Sequence, residues 1–150
     1  MKLQIKFYLI FVILFNSVLY SQKKETDSIC YYNNLANNNI KESNYKNAFL
    51  YTQKAIDYAQ EHSKIKEQAN QTAKLGKLFY NLKKYDDAIE KLTESITLYK
   101  TFSPSAEYAK AYYDLGLAYI GNKNFKAAEI CINKTIAISK VLNLKDDNEL

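Results

Sequence analysis

Three stretches of the chain repeat one another without a gap. Residues 29–68, 69–108 and 109–148 align at a period of 40. One column reads Leu35, Leu75, Leu115, and the next reads Ala36, Gly76, Gly116. Further along stand Tyr45, Tyr85, Phe125, then Ala48, Ala88, Ala128. Later come Ile56, Ile96, Ile136, then Tyr58, Leu98, Ile138. A unit of this length cannot bury its apolar face alone, so each copy must stack on the next.

Spacing inside each copy is helical. Tyr112, Leu115, Gly116 and Tyr119 fall at i, i+3, i+4, i+7, which is one face of an α-helix. A polar break, Gly121-Asn122-Lys123-Asn124, leads to a second run: Phe125, Ala128, Ile132, Thr135, Ile136. The second copy has Thr72, Leu75, Gly76 and Phe79, then Tyr85, Ala88, Leu92, Ser95 and Ile96. Each copy therefore reads as two antiparallel helices. The small residue beside each Leu lets a neighbouring helix approach closely. Tyr45, Tyr85, Tyr112 and Tyr119 are expected in the core. Ser103-Pro104 reads as an N-cap with Pro at the first helical position. Asp27 or Ser28 is placed to cap the first helix. No segment alternates with period two for long enough to make a strand.

These residues resemble the tetratricopeptide repeat, in which a large residue, Leu-Gly and Tyr precede an Ala and an apolar residue at set spacings. Tyr112-x-x-Leu115-Gly116-x-x-Tyr119 with Ala128-x-x-x-Ile132 follows that pattern, and Thr72-x-x-Leu75-Gly76-x-x-Phe79 with Ala88-x-x-x-Leu92 follows it nearly as well. The first copy departs from it: Tyr32-x-x-Leu35-Ala36-x-x-Asn39 with Ala48-x-x-x-Thr52. The family's late Pro is replaced by Gln60, Lys100 and Lys140. The family period is 34. The six additional residues lengthen the second helix of each pair, the next first helix, or both. The resemblance implies an all-α, right-handed α-solenoid of three antiparallel helix pairs over 29–142, divided at 29–68, 69–108 and 109–142.

The resemblance also implies a concave groove lined by the first helices, with a protein or peptide as ligand. The groove face would carry Asn33, Asn37 and Ile40 from the first copy, beside Cys30. It would carry Asn70, Lys77 and Tyr80 from the second, beside Ala73. The third supplies Lys110, Tyr113 and Leu117, beside Ile120. One branch of the family grips a C-terminal carboxylate with Lys and Asn at set groove columns. Those columns here hold Asn33, Asn37, Lys74, Lys110 and Asp114. Only Asn37 and Lys110 match, and Asp114 would repel a carboxylate.

Ahead of the repeats, Lys2 and Lys6 precede an apolar run from Phe7 to Phe15, then Asn16-Ser17-Val18-Leu19-Tyr20-Ser21. A cationic start, a short apolar run and small residues near its end read as a secretory signal peptide over 1–21, cut near Ser21. The alternative is an uncleaved anchor, for which Phe7 to Tyr20 is short of the roughly 20 residues of a spanning helix. Residues 22–28 form a polar leader and 143–150 a polar acidic tail. The expected location is secreted or periplasmic. Cleavage removes two lysines and no acid, so the formal charge of +5 falls to +3. All the basic side chains are lysines, and arginine is absent. Arginine is what forks onto phosphates and guanine edges, so no nucleic-acid partner is expected.

Little catalytic chemistry is available. His62 is the only histidine and lies in a polar helix end, which excludes a paired-imidazole site. Cys131, flanked by Ile130 and Ile132, reads as a buried thiol, and Cys30 as an unremarkable one. The carboxylate pairs Asp86-Asp87 and Asp146-Asp147 point some 100° apart on a helix. The three glycines, Gly76, Gly116 and Gly121, are spaced for no phosphate loop. Asn70 and Asn133 begin glycosylation-type triplets, but inside predicted helices. We expect no cofactor, no metal and no enzyme. After the third copy no further amphipathic helix follows, which leaves Ile132, Ile136 and Ile138 as a surface for self-association. The second functional reading is a sensory-input fragment of a larger signalling protein.

Overall fold

The computed structural model describes residue 12, residues 28–102 and residues 104–142. The expected signal peptide (residue 12 aside), the leader up to 27 and the acidic tail lie outside the described residues. Among those residues there are six helices and no strand. Helix α1 spans 28–41, α2 Tyr45–Glu61, α3 Ile65–Asn81, α4 Tyr85–Tyr99, α5 Ala106–Gly121 and α6 Phe125–Val141. Helices α3 and α5 begin before the segment boundaries drawn at 69 and 109. A period fixes spacing and leaves phase open.

One turn is used four times. Ser43, Ser63, Lys83 and Lys123 each take a left-handed φ, of 58°, 52°, 60° and 60°. In each turn the next N–H reaches back five residues: Asn44 to the Asn39 carbonyl (2.8 Å), Lys64 to Ala59 (2.8 Å), Lys84 to Phe79 (2.9 Å), Asn124 to Tyr119 (2.8 Å). The left-handed residue itself donates three back, to Ile40, Gln60, Tyr80 and Ile120. This doubly bonded helix stop satisfies carbonyls that would otherwise be orphaned. The first three turns are 20 residues apart, so helix plus turn fills half a period. Helices α2 to α6 run 15–17 residues. The extra length over the family pattern is thus shared by first and second helices alike.

Asn44 and Asn124 cap α2 and α6, accepting from the amides of Asn47 and Ala127. Lys84 holds the equivalent position before α4 without a side-chain cap. The connection from α4 to α5 is longer, and its cap corrects the expectation drawn at Ser103-Pro104. The N-cap is Ser105, in extended conformation, whose hydroxyl accepts from the Tyr108 amide. Pro104 therefore lies ahead of the helix rather than at its first position.

Helices pack on their chain neighbours, and α3 also meets α5. The larger core joins Ala69, Ala88, Leu92, Ile96 and Tyr99 to Ala111, Leu115, Ala118 and Cys131. The smaller joins Ala48 and Ile56 to Leu75 and Leu78. Phe79 packs on both, and its ring meets Phe49 edge-on at 5.6 Å. Gly76 lets α3 and α4 approach closely: a Cβ there would lie 2.6 Å from Leu92 Cγ. Gly116 is less tight, its nearest neighbour being Ile132 Cδ1 at 3.1 Å. Ser95 ties α4 to α3 by donating to the Ala69 carbonyl at 2.7 Å. Thr72, in a column that holds Tyr32 and Tyr112, is buried with its hydroxyl unpartnered.

The Tyr45 column is not core throughout. Tyr85 is half-buried because the backbone of Gly121 lies against its ring, where a Cβ would come within 2.3 Å. One period earlier the matching residue is Asn81, and Tyr45 stands exposed. Phe125 is 65% exposed. On α6, Ile136 is exposed while Ile132 and Ile138 are half-buried. Ile132 faces Gly116. Ile138 shares a shallow cleft with Tyr108, Tyr112 and Val141.

Candidate binding cleft

The first helices bring polar side chains to a cleft of about 310 Å³ between α3, the end of α4 and α5. Asn70, Ala73, Lys74 and Lys77 come from successive turns of α3, and Lys110, Ala111 and Asp114 from α5. Tyr99 closes the α4 side, and Glu107 stands at the mouth. Small side chains at Ala73 and Ala111 leave the hollow. Ala73 lies roughly opposite the buried Leu75 on α3, whereas Ala111 shares the Leu115 stripe of α5 and is itself part of the larger core. A helix buried on one stripe presents the other to the groove.

Lys74 is the pivot of the site. Its Nζ donates to Asn33 Oδ1 and, at 2.9 Å, to Asn37 Oδ1, both on α1. An ammonium can only donate, so the amide oxygens must face it and the two NH₂ groups are left as donors. Burial pushes the Lys74 pKa down from its usual value. Lys74 makes no ion pair among the described residues. Lys110 does: its Nζ lies 3.6 Å from Asp114 Oδ2, and Asp114 is buried. The Tyr99 hydroxyl donates to Asn70 Oδ1, which turns that amide's NH₂ outward as well. Burial, with the Glu107 charge second, pushes the Tyr99 pKa up to about 12. Glu107 is held below the usual carboxylate range by its own backbone N–H, then by the Ser105 hydroxyl and the Lys66 charge.

The groove residues expected from sequence divide into four sets. Asn70, Lys77 and Lys110 line the cleft. Asn33 and Asn37 reach it through Lys74, and Asn33 also borders a second cleft of about 230 Å³ with Ile29, Cys30, Lys64 and Glu67. Ile40 and Tyr80 are engaged elsewhere. Ile40 packs on the Leu75–Leu78 core. Tyr80 packs on the larger core, its ring 6.0 Å from that of Tyr85. Tyr113 is exposed and Leu117 half-buried, and neither lines these clefts. Groove spacing alone misses Tyr99, because it lies on a second helix. Its column otherwise holds the small Ala59 and Ser139, and a buried Tyr hydroxyl needs a partner, but which amide supplies it is set by the fold.

Stacked antiparallel helix pairs with a polar groove on their first helices define a helical-hairpin solenoid, the architecture of an interaction scaffold. Residues 68–140 match the tetratricopeptide repeat family, and the six described helices fit three such repeats. The crystal structure of BtubC (BKLC) from P. vanneervenii superposes with a TM-score of 0.72 at 20% identity, over 81% of this chain and 50% of that one. This chain thus spans half the length of that structure. The crystal structure of the TPR domain of Arabidopsis FLU superposes with a TM-score of 0.71 at 16% identity, over 78% of this chain and 98% of that one. No curated protein matches the sequence. Among the described residues no helix is long and apolar enough to cross a membrane. Domains of this family are generally non-catalytic and bind proteins or peptides.

Proposed function

We propose that the chain is a non-catalytic adaptor whose α3–α5 cleft seats an extended, acidic segment of a partner protein. The observation that carries this reading is Lys74: a partly desolvated cation whose partners are two amide oxygens rather than a carboxylate. Lys77 stands beside it in the cleft. The outward NH₂ groups of Asn33, Asn37 and Asn70 add donors suited to carboxylates and backbone carbonyls. Ala73, Ala111 and the Tyr99 ring supply an apolar floor for the segment's stem. Asp114 already neutralises Lys110, so the acidic side chain belongs at the α1–α3 end.

Peptides selected by the full chain from a random library test this reading. They should be enriched in Asp and Glu. Their affinity should fall at least about tenfold with Lys74→Gln and Lys77→Gln together, at unchanged helical circular dichroism, and hold with Tyr113→Ala. Enrichment in basic peptides, or equal loss with Tyr113→Ala, would refute it. We also propose that the adaptor works outside the cytoplasm, released by cleavage near Ser21. Fractionation with N-terminal sequencing of the mature chain checks this, and a chain still beginning at Met1 in the membrane fraction would favour the anchored alternative.

A further inference from the structure

The three first-to-second-helix turns lie along one edge of the solenoid, because α1, α3 and α5 end there and α2, α4 and α6 begin there. Over 41–47, 81–87 and 121–127 this edge carries six lysines, Lys41, Lys46, Lys83, Lys84, Lys123 and Lys126, against three carboxylates. The turns of the opposite edge, over 61–67 and 101–107, carry two lysines against three carboxylates. This edge therefore carries the larger excess of positive charge, even with Lys100, the C-cap of α4, counted on the opposite one.

Two details bear on these lysines. Lys83 and Lys123 occupy left-handed positions, where glycine is the residue of least cost. The six lysines also make no ion pair among the described residues. The one carboxylate bonded there, Asp86, accepts instead from the neutral Asn122 amide at 2.8 Å. Between the lysines stand exposed apolar side chains, one or two per turn: Tyr45, Leu82, Ile120 and Phe125.

We propose that this edge docks on an anionic phospholipid surface. Lysines hold their charge among the headgroups while single apolar side chains enter the interface. Apolar groups scattered among charges give a protein partner no contiguous apolar centre. A chain without arginine lacks the usual nucleic-acid fork. The edge is separate from the cleft, so this inference does not depend on the adaptor reading.

The chain contains no tryptophan, so Phe125→Trp makes a single reporter on the edge and Ile130→Trp a control on the flank of α6. With vesicles of 70% phosphatidylcholine and 30% phosphatidylglycerol, the Phe125→Trp emission should shift to the blue and the Ile130→Trp emission should not. Pure phosphatidylcholine should shift neither. Each lysine near such a surface contributes about fivefold in partitioning, so Lys83→Gln, Lys84→Gln and Lys123→Gln combined should cut vesicle binding about a hundredfold. Lys64→Gln with Lys66→Gln, on the opposite edge, should leave it unchanged. Equal binding to neutral vesicles, equal loss from the opposite-edge variant, or a blue shift at Ile130→Trp alone would overturn the proposal. So would tight binding to polyglutamate or to a DNA oligonucleotide with no response to vesicles.

Discussion

Single side chains here trade local cost for position. Lys123 holds a left-handed backbone that costs an L-residue about 1–2 kcal/mol, part of which Gly returns as unfolded-state entropy. Lys123→Gly should therefore raise stability by about 1 kcal/mol in urea titration, with an unchanged m-value. Tyr99 makes a pH-dependent contribution. Its folded pKa, about 12, lies above the ordinary 10.0. Its stabilisation is thus complete below pH 10 and lost as pH climbs towards 12. Tyr99→Phe should flatten the fall in stability across that window. It should not abolish the fall, because Tyr108 is also pushed up to about 12, by burial and by Tyr112. Neither effect was legible in the sequence. A Lys in a turn reads as solvated, and Tyr99 reads as one more apolar residue at helical spacing. Only the fold shows which φ the first adopts and which amide the second meets.

Helix pairing was far more legible, because one pattern is written three times. The Leu75–Leu115 column and the small residue beside it placed the first helices correctly, since that face has no alternative to burial. The same columns hide a difference that packing reveals. At Gly76 an added methyl meets the Leu92 stem and, at 3.1 Å, its backbone nitrogen. At Gly116 it meets the end of the Ile132 side chain, which can rotate away. Helix propensity favours Ala over Gly by about 1 kcal/mol at both sites. Gly76→Ala should nonetheless lose about 1–2 kcal/mol through overpacking, and Gly116→Ala should be neutral or slightly stabilising. Chemical denaturation of the two variants decides it. Where the sequence pointed wrongly, a neighbour was responsible. The cap of α5 is Ser105, two residues beyond the one expected, because its hydroxyl accepts from the Tyr108 amide at 3.2 Å. The Tyr45 column splits because only Tyr85 has Gly121 against it.

Across the whole molecule, stability is a sum over neighbours rather than the property of one centre. The two thiols report on this. Cys30 on α1 is exposed, while Cys131 on α6 is 5% exposed with its pKa raised by burial. A thiol reagent at pH 8 should label one cysteine at once and the other about a hundredfold more slowly, at the rate of local opening of the last hairpin. Equal rates would show that the α5–α6 pair does not close over Cys131. Substitutions in α1 should leave the slow rate almost unchanged, since coupling in such a stack runs between neighbouring repeats. The doubly bonded stop used at Ser43, Ser63, Lys83 and Lys123 carries this modularity into heredity. Because one hinge geometry joins every consecutive pair it serves, a tandem duplication of one period cut within such hinges would be read by the ribosome as another hairpin already in phase. Such a chain could lengthen its trough and its row of lysines together, in a single genetic event.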